Sequence, residues 1–196
     1  MTNQMKIDKE ELTIEGDNFD FSTLSRYTKL KELYIYSYQM TTLPELPATL
    51  TLLECSSCPL LTCLPELPAT LKYLYFDNCP LLTCLPELPA TLTHLICFEC
   101  PLLTALPELP ATLTRLWCKR CPLLTCLPEL PATLTMLDCS GCPLLTALPE
   151  LPATLKYLHC SQEYFIDKYD YKIDSSNIER FRNDPITIKR RERKTC

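Results

Sequence analysis

The sequence predicts a right-handed, curved solenoid. One parallel sheet of very short strands lines its concave side, the convex side is extended and close to polyproline II, and helices are few. Three observations predict it. The segment LPELPATLTHLICFECPLLTA, Leu85 to Ala105, nearly overlays itself when shifted by 21 residues, and five full copies run from Leu43 to Ala147. Fourteen of the 21 letters never change among the five, as expected if each copy must stack in register on the next. Of the 18 prolines only Pro185 lies outside fixed places in the repeat, and each one removes a donor and biases its predecessor toward extended geometry, so long helices are excluded from the array.

Residues 1–29 read as an N-terminal cap, in which Leu12, Ile14, Asp17 and Phe19 fit a degenerate coil. The repeats span 30–160. The first, with Leu30, Leu33, Ile35, Met40 and Leu43, has 20 residues and Tyr38 at its ninth position, and the rest have 21. Numbering each repeat from the leucine that ends PATL puts leucine at position one (Leu50, Leu71, Leu92, Leu113, Leu134, Leu155) and at position four (Leu53 through Leu158). Position six is cysteine except for Phe76, position nine is Cys58, Cys79, Cys100, Cys121 and Cys142, and position twelve is leucine again. Alternation over positions four to six marks a short strand. A turn follows, and the P-E-L-P piece makes a stiff extended return. One such coil cannot bury enough apolar surface to offset the entropy of ordering it, so the copies must stack, and every inward residue then meets its own copy next door. Residues 161–196 read as a C-terminal cap and basic tail: Glu163 stands where a cysteine belonged, YFIDKYDYKI offers edge strands, and Ser176 with Glu179 has capping-box spacing for a short helix over Asn177 to Arg182.

The pattern L-x-x-L-x-C-x-x-C-x-x-L resembles the leucine-rich repeat. LPELPATL followed by a strand resembles the LPX-type repeats of secreted bacterial effectors, and the CPLLTxLPELPATL joint is similar to repeats of plant TIR-NBS-LRR immune receptors. Cysteine in place of the usual asparagine at position nine, and a 21-residue period, depart from the LPX pattern. The ubiquitin-ligase domain of many LPX effectors and the nucleotide-binding domain of the plant receptors have no counterpart in the sequence, so the resemblance carries over no enzymatic activity. It implies a curved scaffold that binds protein on its concave sheet face.

The letters that vary fall at positions three, five, seven and eight, which the strand reading places on the sheet face, away from the core. Aromatic residues and arginine are the usual anchors of interfaces, whereas an unused face favours small polar residues. The candidate partner-binding residues are Tyr34, Tyr36, Tyr73, Tyr75, His94, Phe98, Arg115, Trp117, Lys119, Arg120, Tyr157 and His159. Trp117, Tyr73, Tyr75 and Phe98 would be apolar anchors, and Arg115, Lys119 and Arg120 would meet an acidic or carbonyl-rich spot. The plainer account is that tyrosine suits strands and the variation is drift; one tryptophan beside three cations in a single repeat fits it less well. The expected ligand is therefore a protein or peptide lying across the strands, and the rival role is structural, with near-identical repeats driving self-association of an otherwise monomeric chain.

Net charge is −5, which gives no reason to expect nucleic acid or membrane as partner, and the N-terminal MTNQMKIDKEELTIEG has no apolar run of a secretory signal. Fourteen cysteines without such a signal read as reduced thiols of a cytoplasmic, reducing compartment, a host cell's included. The C-x-x-C pairs read as core, not metal or redox sites, because Phe76 replaces one member without breaking the pattern. Cys63, Cys84 and Cys126, which alternate with Ala105 and Ala147, read as packing. The stripe Glu45, Glu66, Glu87, Glu108, Glu129 and Glu150 reads as a solvated convex side. No catalytic order of Ser, His and Asp or of Cys and His can be argued and no phosphate loop is present, so no enzyme and no cofactor are expected. KRRERK, Lys189 to Lys194, fits a solvated tail, a nuclear-import signal or an anionic-surface tether.

Overall fold

The computed structural model describes residues 7–37, 39–160 and, for their backbone, 171–173. Among the described residues nine strands form one sheet in chain order: β1 (Glu11–Glu15), β2 (Glu32–Tyr36), β3 (Leu52–Ser56), β4 (Tyr73–Asp77), β5 (His94–Phe98), β6 (Arg115–Lys119), β7 (Met136–Asp138), β8 (Tyr157–Cys160) and β9 (Tyr171–Ile173). Pairing is parallel from β1 to β8, and β9 lies antiparallel on β8, within the YFIDKYDYKI segment. The described helical structure is a six-residue 3₁₀ turn, Phe21–Arg26, whose start is capped by the Asp20 carboxylate accepting from the Ser22 amide at 3.0 Å. This is the predicted leucine-rich-repeat solenoid. The expected helix over 177–182 and the basic tail lie outside the described residues.

Register follows the repeat. Leu53, Leu74, Leu95, Leu116, Leu137 and Leu158 pair with one another strand by strand. They are fully buried, as are Phe76, Cys97 and Cys118 two positions on and the position-nine cysteines beyond them. Two turns fold each coil. The amide of Leu82 donates to the Cys79 carbonyl at 3.2 Å around Pro80, and that of Leu92 donates to the Pro89 carbonyl at 3.0 Å. Proline fixes φ for the first of these, which is why CPLL recurs.

Two polar ladders hold the coils together. From the second PATL on, the threonine sits between two carbonyls of the preceding coil: Thr112 Oγ1 is 2.7 Å from the Ala90 oxygen and 2.8 Å from that of Leu92, whereas Thr49 meets the Leu30 carbonyl alone. Thr70, Thr91, Thr133 and Thr154 repeat the arrangement. Position-nine thiols form the second ladder. Cys79 Sγ donates across coils to the Cys55 carbonyl at 3.4 Å, Cys121 to that of Cys97 at 3.5 Å and Cys142 to that of Cys118 at 2.8 Å. Burial pushes the thiols of Cys55, Cys97, Cys118 and Cys139 well up and that of Cys100 up to about 12, so these five stay protonated and unreactive as nucleophiles, whereas the bond to Cys142 lowers Cys121.

The predicted packing role fails for part of one cysteine column. Cys63 and Cys84 are exposed, because that position lies on the outward corner of the return. Cys126, half-buried at the same corner, is disulfide-bonded, contrary to the reading of every cysteine as a reduced thiol.

Candidate functional site

A strand alternates, so the residues between the core columns emerge on the open face. Positions three, five and seven of β2 to β6 form that face, as the alternating burial of each strand requires. Tyr34 and Tyr36 are half-buried, and their hydroxyls donate to Glu32 at 2.9 Å and Glu54 at 3.0 Å. Burial, then the bond to Glu32, pushes the Tyr34 phenol up to about 12; the same two causes raise Tyr36, through Glu54. Tyr73 and Tyr75 stack at 6.5 Å with an interplanar angle of 8°, and Tyr73 meets the His94 ring at 4.8 Å. Burial, reinforced by Arg115 on the next strand, holds His94 below the ordinary imidazole range. A continuous aromatic row therefore crosses β4 and β5.

The row runs into a depression of about 360 Å³ lined by Glu54, Ser56, Tyr75, Phe76, Asp77, Ile96, Phe98, Trp117 and Lys119. Lys119 Nζ stands 5.8 Å from the centre of the Phe98 ring. Trp117 is half-buried, and its indole Nε1 is enclosed with no hydrogen-bond acceptor among the described residues. An enclosed N–H without a partner costs about 1–3 kcal/mol, which an incoming acceptor relieves. Arg115, beside it, is exposed.

Three placements differ from the sequence reading. Position eight does not lie on the sheet face. The strand ends at position seven, and Ser57, Asn78, Glu99 and Arg120 turn off with φ of 53°, 52°, 51° and 55°, the left-handed region. The turn lets each amide reach the next coil, as in Arg120 N to the Ser140 carbonyl at 2.8 Å. Arg120 therefore sits on the flank, paired with Glu99 at 2.6 Å and 5.5 Å from the Phe98 ring. Its counterpart Gly141, φ 71°, would take a side chain only with backbone strain and a tight contact, since a Cβ would lie 3.2 Å from Arg120 Cα. The second and third differences are Asp138 and Ser140, expected on the open face and instead buried. β7 stops at Asp138, whose carboxylate accepts from the Ser140 amide at 3.0 Å and hydroxyl at 2.7 Å and faces His159 Nδ1 at 3.2 Å. His159 and Tyr157, on β8, thus sit at the far end of the face, with burial raising the Tyr157 phenol.

Sequence reasoning also missed the first leucine of each CPLL. Leu60, Leu81, Leu102, Leu123 and Leu144 are 36–47 % exposed and form an invariant apolar column on the flank. Among the described residues no group of three or more His, Cys, Asp or Glu side chains is placed to hold a metal ion, and no helix is long and apolar enough to cross a membrane.

The Leucine Rich Repeat family model matches residues 70–92. No curated protein matches the chain significantly. Among solved structures, YopM from Yersinia enterocolitica WA-314 is similar at 34 % identity and a TM-score of 0.60, over 71 % of this chain and 30 % of that one. YopM of Yersinia pestis, described as a leucine-rich effector protein, shares 26 % identity at a TM-score of 0.42, over 71 % of this chain and 49 % of that one. The chain thus spans less than half the length of either.

Proposed function

We propose that this chain, a leucine-rich-repeat protein by its stacked coils and its match to the repeat's family model, is a non-catalytic scaffold that binds a protein or peptide across the open face of its sheet. One observation carries the reading: the aromatic row of Tyr73, Tyr75 and His94 leads into a depression where the Trp117 N–H is enclosed without an acceptor. A backbone or side-chain carbonyl of an extended ligand satisfies that donor once the side chains enclosing it move aside, while the rings supply apolar contact at low entropic cost. Arg115 and Lys119 flank the spot for a carboxylate or carbonyl-rich group. Arg120, tied to Glu99, contributes from the rim. The ten buried free thiols favour a reducing compartment and the Cys126 disulfide speaks against one, while the similarity to YopM supports delivery into a host cell as one setting.

The test is capture of interacting protein by the wild type against Arg115→Ala/Trp117→Ala. The double variant keeps its core columns, so it should melt within a few degrees of wild type while captured protein falls at least tenfold. Equal capture by both sinks the reading. The exposed leucine column favours a second one, self-association through the flank. A solution mass that stays monomeric on concentration, with Leu102→Glu unchanged from wild type, rules that out.

A further inference from the structure

The charges on the open face are sorted along the solenoid. Strands β2 to β4 carry Glu32, Glu54 and Asp77 and no cation, β5 carries no carboxylate, lysine or arginine, and β6 carries Arg115 and Lys119 and no carboxylate. The ion pairs among the described residues join Lys29 to Asp8, Lys31 to Glu10, Arg120 to Glu99 and His159 to Asp138, so none of these five charges is used in one. Register keeps the opposite charges apart. In the row of position seven, Asp77 neighbours Phe98 and Phe98 neighbours Lys119. Strands lie about 4.8 Å apart, so two steps put the Asp77 and Lys119 backbones about 10 Å from each other with an aromatic ring between them.

The depression on this face has the same polarity. Glu54 and Asp77 line it from β3 and β4, Trp117 and Lys119 line it from β6, and Ile96 and Phe98 lie on the strand between. The Glu54 carboxylate is oriented by the hydroxyls of Tyr36 and Ser56, each donating at 3.0 Å. Burial, followed by the nearby Glu99 and Glu54, pushes the Asp77 carboxyl up, so a cation arriving there relieves a cost that the chain bears alone.

We propose that the occupant of this face is a dipolar extended segment of a partner protein. It places a lysine or arginine over Glu54 and Asp77, an apolar side chain two residues along over Ile96 and Phe98, and an aspartate or glutamate four residues along over Lys119 and Arg115. The inference rests on the reading of the face as a protein-binding site and names the ligand's chemistry. Spacing carries it. In an extended chain residues i, i+2 and i+4 share one side and cover about 13 Å, which lies between the two strand steps of about 10 Å from β4 to β6 and the three of about 14 Å from β3 to β6. The Tyr75 ring beside the acidic end adds a cation–π surface for the basic side chain. Each half-exposed ion pair adds little affinity. A segment with like charges at both ends, however, meets repulsion at one of them, so the sorted charges act on the choice of partner.

The test uses the full chain and three synthetic peptides with capped ends and a neutral dye, followed by fluorescence anisotropy. The first is Gly-Lys-Ser-Leu-Ser-Glu-Gly, the second has lysine at both charged places, and the third has glutamate at both. The wild type should bind the dipolar peptide at least fivefold more tightly than either like-charged one, and the margin should shrink as salt is raised from about 50 mM to about 500 mM. Lys119→Glu should reverse the order in favour of the two-lysine peptide, and Asp77→Lys should shift preference severalfold toward the two-glutamate peptide. Both positions lie outside the core columns, and a thermal melt confirms that each variant is folded. Lys119→Gln, expected to lose most of the discrimination against the two-lysine peptide, serves if the reversal unfolds the chain. Equal binding of the three peptides, or binding unmoved by the substitutions, overturns the proposal. Tightest binding of the two-lysine peptide by the wild type overturns it in favour of a purely basic ligand, and no binding of any peptide overturns it outright. The Arg115/Trp117 capture test uses none of these peptides, so the two readings fail separately.

Discussion

Within any one strand, the core columns and the open face lie one residue apart and obey opposite rules. In β5, Leu95 and Cys97 point inward and pair with Leu74, Leu116 and Cys118 of the neighbouring coils, while Ile96 points outward between Tyr75 and Trp117. Inward positions meet their own copies, so a change in one coil misfits two neighbours at once. Outward positions need only tolerate a pleated surface. Phe76 marks the limit of the inward rule: it is fully buried in a column of cysteines, so the column fixes direction and dryness more strictly than volume. The frozen letters are thus a register requirement, and the variable ones are where the repeat is free to differ.

The largest effect that breaks this contrast should come from an inward leucine. Leu116→Ala removes a fully buried side chain between two packed coils, and should cost about 3 kcal/mol in denaturant-induced unfolding. Leu95→Ala should agree within about 1 kcal/mol, because its environment is nearly the same coil again. A loss below about 1 kcal/mol at either position would show that the column is loosely packed and undo the register argument.

A smaller effect sharpens it. The PATL threonine is polar yet as invariant as the leucines, because its hydroxyl lies between two carbonyls of the coil before it. Thr112→Val keeps the shape and removes the donor, so it should cost about 1 kcal/mol, with Thr112→Ser losing less. If valine and serine are equally tolerated, the ladder contributes shape alone.

Most of the solenoid was legible from the sequence because inward residues advertise themselves twice, by alternation within a strand and by identity between copies. The threonine ladder showed only half its signal: the invariant Thr was visible, but its acceptors lie a full coil away and appear once the stack is built. Position eight was opaque because Ser57, Asn78, Glu99 and Arg120 share no chemistry; Asn78 and Gly141 alone hinted at a left-handed backbone. Cys63 and Cys84 were misread because cysteine is compositionally a core residue, and the outward corner they occupy depends on the turn geometry. Asp138 was placed on the open face correctly by parity, but β7 ends there, and Ser140 and His159 close over it. For the candidate site, alternation identified which side chains emerge. That the Tyr73 ring meets His94, and that the Trp117 N–H is enclosed without an acceptor, depended on neighbours in the adjoining coils.

The smallest predicted effect has the opposite sign and belongs to the face. The Asp77 carboxyl titrates above its ordinary value, first because it is partly buried and then because Glu99 and Glu54 are near. A raised carboxyl binds its proton more tightly in the folded chain, so the fold gains stability as pH falls through the folded-state value and is penalised above it. Asp77→Asn removes the charged form and should raise the melting temperature at pH 7 by about 1–2 °C. The gain should fade as pH is lowered toward 3, where aspartic acid is protonated in both states and differs little from asparagine. A variant that melts lower at pH 7, or whose gain is unchanged at pH 3, would show that repulsion is not the cause. Leu116 and Asp77 then separate cleanly: the inward residue is kept because the fold loses without it, and the outward carboxylate is kept although the fold gains without it, which is the pattern expected where a face is held for a ligand.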